Sequence, residues 1–157
     1  MANRLDGSEK NQETERVLLD VIKVLQDGQK GFADIGEHLK DDTLKRYFLA
    51  ESLKRASFRA DLEAELHRAG VHDVKDSGSA SGALHRAWAD VKASLGGGDH
   101  TLLASAEAGE DDAKVTYKDA LEQDLPLPIR QLLTEQQTHV LTSHDYVKRH
   151  RDELAAK

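Results

Sequence analysis

The chain has 157 residues, no cysteine and a formal net charge of −7. Lack of cysteine excludes disulfides, zinc-thiolate sites, iron–sulfur clusters and thiol catalysis, and the acidic balance argues against nonspecific binding to nucleic acid or an anionic membrane. Charged residues make up 32% of the chain, aromatics only 4%, and there are two prolines, a composition of charge-coated helices rather than of a β-rich body.

Residues 1–10 are polar and are expected to be flexible. The start of the chain carries no apolar h-region, and no run of apolar residues approaches membrane-spanning length. A cytoplasmic, bacterial-type protein with a single domain over 11–155 is the expectation. From Asn11 the apolar residues take helical spacing, with Leu18, Ile22, Leu25, Phe32, Ile35 and Leu39 on one stripe. This predicts a first helix over 11–40. Its Gly28, Gly31 and Gly36 each cost about 1 kcal/mol against alanine, so they mark either a close approach by a neighbour or a kink.

Asp41-Asp42 supplies an N-cap for a second helix. Its stripe is Leu44, Phe48, Glu51, Arg55, Phe58, Leu62 and Leu66, with two charged residues inside an apolar series. His67 and Arg68 in the last turn and Gly70 beyond it form a C-terminal signal. A polar connection follows. Ser79 or Ser81 can then cap a short helix running to Leu95, with Leu84, Trp88, Val91 and Leu95 on one face. Gly96-Gly97-Gly98 stops it. Asp99 is the expected cap of a third long helix, 100–123, with the stripe Leu103, Glu107, Glu110, Ala113, Tyr117 and Leu121. After Leu125-Pro-Leu-Pro128, Pro128 suits the first position of a fourth helix, which carries Ile129, Leu133, Gln136, Val140, Ser143 and Val147 to about Leu154. Four long helices, two short hairpin links and one long crossover predict an all-α four-helix bundle with ferritin-like connectivity.

Three stretches add a resemblance: Ser77-Gly-Ser…Gly82-x-x-His85-Arg86-x-Trp88-x-x-x-Lys92, Asp27-Gly28-x-x-Gly31-Phe32 and Gly109-Glu110-Asp111. Together they resemble a bacterial ferritin-like four-helix-bundle family of unknown function, over residues 12–150. The resemblance implies the ferritin-like fold and a link to stress or stationary-phase physiology, and it supplies no reaction.

Ferritin-like di-iron sites use one Glu from each of two helices and Glu-x-x-His from the other two. Matching the halves by their glycines puts Gln29, Glu110, Glu51-x-x-Lys54 and Gln136-x-x-His139 at those places. Two glutamates are thus glutamine and one histidine is lysine, a poor ligand at neutral pH. One reading is a metal-free polar layer, with Glu51 paired to Arg55 one turn later and Glu110 accepting from Gln29, Gln136 or Tyr117. The other is a degenerate, mononuclear or di-iron site for iron or manganese, with Glu51, Glu107, Glu110, His139 and His144 as its ligands. Trp88 is expected to anchor the crossover helix, with His85-Arg86 beside it as an alternative anion or partner site. Asp111-Asp112 reads as a solvated face.

No nucleophile–base pair, P-loop or dinucleotide fingerprint is present, and no catalytic residue is assigned. The leading functional expectation is a non-catalytic, stress-associated interaction protein. A second apolar edge (Leu19, Val24, Leu49, Leu53, Leu132, Leu141) leaves room for a homodimer. The alternatives are a metalloprotein with oxidase, peroxidase or ferroxidase chemistry, and a small-molecule binder beside the glycines of the first helix.

Overall fold

The computed structural model describes residues 7–71, 88 and 91–156. Among them are α1 (Gly7–His38), α2 (Asp42–Arg68), the single turn α3 (Val91–Ser94), α4 (Asp99–Leu121) and α5 (Leu127–Ala155), with no strand. The protein is an all-α four-helix bundle.

Local signals set most of the helix ends. Asp41 caps α2 by accepting from the Leu44 amide at 2.9 Å. Gly70 takes φ +90° just beyond the last turn of α2, a left-handed conformation that glycine adopts without penalty. Pro128 sits one position further in than expected, because Leu127 opens α5 and Pro126 is its cap. The amide that Pro128 lacks would have had no partner within the helix there. Asp99 departs from its expected role. Gly98 is the cap of α4, with no side-chain hydrogen bond. The Asp99 carboxylate instead accepts from the Lys40 and Asp41 amides, at 2.9 and 3.0 Å.

That contact fixes the topology. It places the start of α4 beside the α1–α2 turn, so α4 runs parallel to α2, and Arg68 and Asp99 lie at opposite ends of the bundle. α1 packs on α2 and on α4, and α4 packs on α5. The expected crossover helix falls largely on residues outside those described. What is described of it is Trp88, the single turn α3 and the link to α4, tied down by a 2.7 Å hydrogen bond between the Ser94 and Ser105 hydroxyls.

All the predicted apolar stripe positions of α1, α2 and α5 are buried. So are Leu103, Ala113 and Tyr117 of α4, while Leu121 is half-buried. They form two separate apolar clusters. One gathers Leu18, Ile22, Leu25, Phe58, Leu62, Tyr117, Leu133 and Val140. The other gathers Phe32, Ile35, Phe48, Leu102, Leu103 and Val147. On every long helix the inward-facing residues between the two clusters are polar or small: Gly28, then Glu51, Ser52 and Arg55, then Gly109-Glu110, and Ser143.

Trp88 supplies the physical reason for two of the glycines. Its half-buried indole lies in a notch between α1 and α4. A Cβ at Gly31 would come within 2.2 Å of the ring, and one at Gly109 within 2.0 Å. The close approach expected at the glycines of α1 is therefore made at Gly31 by the crossover tryptophan, not by another long helix. The α1 helix is unbroken there.

Candidate functional site

The centre of the polar layer is Arg55, whose side chain is fully buried. The sequence placed it on the buried stripe of α2, with Leu44, Phe48 and Phe58 above and below. A buried guanidinium has to be paired, because leaving its charge unmatched in a low-dielectric interior is costly. Its Nη1 lies 2.7 Å from Glu110 Oε1, and its Nη2 donates to Glu110 Oε2 at 3.0 Å. Nη2 is also 3.4 Å from Glu51 Oε2, one helical turn back. Phe32 stacks against the guanidinium, 4.9 Å from ring centroid to Cζ. Burial opposes the arginine's charge, but Glu110 and Glu51 outweigh it and hold its pKa above the usual arginine range.

Glu51 extends the network outward. Both its oxygens accept from His139 Nε2, at 2.8 and 3.1 Å. The His139 ring stands edge-on to Phe58 and is partly open to solvent. Next to this, Tyr117 donates to Gln136 Oε1 at 2.8 Å, and the Gln136 amide donates to the Phe58 carbonyl at 3.3 Å. Ser52 donates to the Gln29 carbonyl at 2.8 Å. Lys54 points outward over the Phe58 ring. The chain of groups from α4 to α5 is thus Glu110, Arg55, Glu51, His139, and it alternates in charge if His139 is protonated. Burial raises Tyr47 to about 12 and pushes Tyr117 up as well.

A second polar cluster lies off this layer. Glu107 and Asp111 stand one turn apart on α4, facing His144 of α5, and one ligand atom from each lies within 4.8 Å of the others. His144 Nε2 is 2.8 Å from Asp111 Oδ1, and its Nδ1 is 3.1 Å from Asp145 Oδ1. Glu107 accepts from Arg151, which Asp152 also holds at 2.8 Å.

The five residues predicted as one ligand set therefore separate into two groups. Glu51, Glu110 and His139 share the buried network with Arg55. Glu107 and His144 join the second cluster, where they meet Asp111. Sequence reasoning paired Arg55 with Glu51 correctly but missed its closer partner, Glu110. Two of the candidates proposed for Glu110, Tyr117 and Gln136, bond to each other instead. The available signal was a buried-stripe arginine on α2 facing a buried-stripe glutamate on α4. Asp111 is exposed, as a solvated face requires, yet it also bonds to His144. Asp112 is raised by partial burial and by the nearby Asp27 carboxylate. His85 and Arg86 lie outside the described residues.

A family model described as a domain of unknown function, DUF2383, matches residues 13–123, and the chain belongs to that family. The match takes in Gly31, Glu51, Arg55, Trp88, Gly109 and Glu110, and it ends before α5 with His139 and His144. Comparison with curated proteins finds no match. No helix of the described residues is long and apolar enough to cross a membrane.

Proposed function

We propose that this member of the DUF2383 family is a non-catalytic, ferritin-like bundle that serves as an interaction protein, with a central polar layer that carries its own cation. The observation behind this reading is Arg55, fully buried and within ion-pair distance of Glu51 and Glu110. A di-iron centre needs such carboxylates free to bind two positive ions. Here the guanidinium already engages both, Glu110 at 2.7 Å and Glu51 at 3.4 Å. The up-down-down-up helix order with one long crossover supports the ferritin-like assignment. The resemblance adds a stress-associated role.

The competing reading is an iron or manganese enzyme using Glu51 and Glu110. It is tested with the double variant Arg55→Met/Glu110→Leu, since an apolar replacement of a buried ion pair is often tolerated. Protein is purified from iron- and manganese-supplemented medium and its metal content measured. Equal metal in wild type and the folded double variant is expected. About two metal ions per chain in wild type, lost from the folded variant, would overturn the proposal.

The interaction partner in this reading is a second copy of the chain. Of the expected apolar edge, Val24 is buried and Leu19 and Leu132 pack on the core; Leu49 and Leu53, one turn apart on α2, are 37% and 73% exposed, and this reduced edge supports self-association. Sedimentation velocity should show a dimer that Leu53→Glu dissociates. A wild-type monomer across the accessible concentration range would count against self-association.

A further inference from the structure

We infer that Glu107, Asp111 and His144 form a site for one divalent transition-metal ion, separate from the central layer. Neither Arg55 nor Glu110 contributes to it, so it stands independently of the function proposed above.

The argument begins with the imidazole of His144. Both of its nitrogens face carboxylate oxygens, Nδ1 at 3.1 Å from Asp145 and Nε2 at 2.8 Å from Asp111. A neutral imidazole has one N–H. Whichever nitrogen carries it, the other turns a lone pair on an anionic oxygen. At these distances that contact is repulsive unless a cation lies between. The cation is either a second proton or a metal ion.

Of three further features, the first and third favour the metal and the second accommodates it. The first is the ligand set. Glu107, one turn before Asp111 on the same face of α4, brings a third ligand atom within 4.8 Å of the other two. A proton bridging His144 and Asp111 needs no such neighbour. The second is geometry. The 2.8 Å between Nε2 and Oδ1, which a bridging proton would also give, is close to the separation of adjacent ligands on an octahedral ion with bonds of about 2.1 Å. The third is the surroundings. The His144 side chain is only 8% exposed, which restrains the ring, while Asp111 at 59% leaves a way in from solvent. Asp145 on Nδ1 is the outer carboxylate that orients a metal-bound histidine and fixes its tautomer.

Glu107 has to release Arg151 to bind, and Arg151 keeps a partner in Asp152. Imidazole with two carboxylates suits Mn²⁺, Fe²⁺ or Zn²⁺ rather than Ca²⁺ or Mg²⁺. Three protein ligands leave the remaining positions to water.

Calorimetric titration of the metal-stripped full chain with Mn²⁺ and with Zn²⁺ tests the site. One ion per chain is expected. Asp111→Asn changes an exposed side chain and should weaken binding about tenfold or more, and Asp145→Asn should do so through the histidine, by about 10- to 100-fold. Arg151→Gln frees Glu107 and should tighten binding. Absence of saturable binding of either metal would overturn the site, as would binding that Asp111→Asn and Asp145→Asn leave unchanged. ¹⁵N NMR supplies a second readout. Zn²⁺ should displace a proton from Nε2 of His144, and an imidazole that stays doubly protonated in excess Zn²⁺ would assign the bridge to the proton instead.

Discussion

Two polar clusters built from the same residue types behave as opposites. In the central layer, Glu51 and Glu110 are sealed in the bundle and the cation between them is part of the chain. In the outer cluster, Glu107, Asp111 and His144 lie at the α4–α5 edge, and the nearby arginine is shared with a second carboxylate. Burial makes the difference. Inside, a carboxylate without a fixed counter-charge is too costly to keep, so the arginine is obligatory. At the edge, Asp111 is open to solvent although His144 is buried, so the pair between them is screened on one side and the ligands can exchange partners. The first arrangement suits structure and the second suits a mobile ion.

The comparison breaks most decisively at Arg55. Arg55→Met strands buried Glu110 and leaves Glu51 only His139, and should cost about 3–5 kcal/mol in chemical denaturation. A loss below about 1 kcal/mol would mean that water reaches the layer.

The cover of that layer is the next target. Phe32 lies against both Arg55 and Trp88, with its ring 5.6 Å from the indole. Trp88→Ala should cost about 3 kcal/mol, at the lower end for a tryptophan truncation because the ring is half-buried. Gly109→Ala drives a methyl into the same ring and should cost about 1–3 kcal/mol, with a shift in tryptophan fluorescence. An unchanged spectrum and stability would show that Trp88 does not occupy the notch in solution.

Alkaline pH probes the buried tyrosines, Tyr47 among them. An unfolded tyrosine loses its proton near 10.0, whereas folded Tyr47 keeps it to about 12. Between those values the folded state binds more protons, so stability should fall as pH rises through this window. Tyr47→Phe should flatten that slope, and an unaltered slope would assign it to other groups. The smallest effect belongs to the outer cluster. Asp111→Asn in metal-free protein should change stability by less than about 1 kcal/mol, and a larger loss would place that pair in the structural core.

Much of this was legible before the fold was known. The charged residues on the α2 stripe announced a buried polar layer, since Glu51 and Arg55 stand where the 3.6-residue period demands apolar groups. The i, i+4 pairing of those two was readable because both lie on one helix. The Arg55–Glu110 pair was not, because it spans helices whose relative height depends on the crossover. For the same reason Asp99 looked like a cap, while its carboxylate serves the α1–α2 turn 58 and 59 residues earlier. The glycines at 31 and 109 signalled a close approach without saying to what.

By itself the sequence determined the four helices, their buried faces and most of their ends. These follow from spacing and capping, which act within a few residues. Only the tertiary structure decided which charges meet. It seated Trp88 between Gly31 and Gly109, gave Glu110 to Arg55, and divided one predicted ligand set into a sealed ion pair and an open cluster. Each of those outcomes depends on the alignment of separate helices, and that alignment is set by packing across the bundle rather than by any local run of residues.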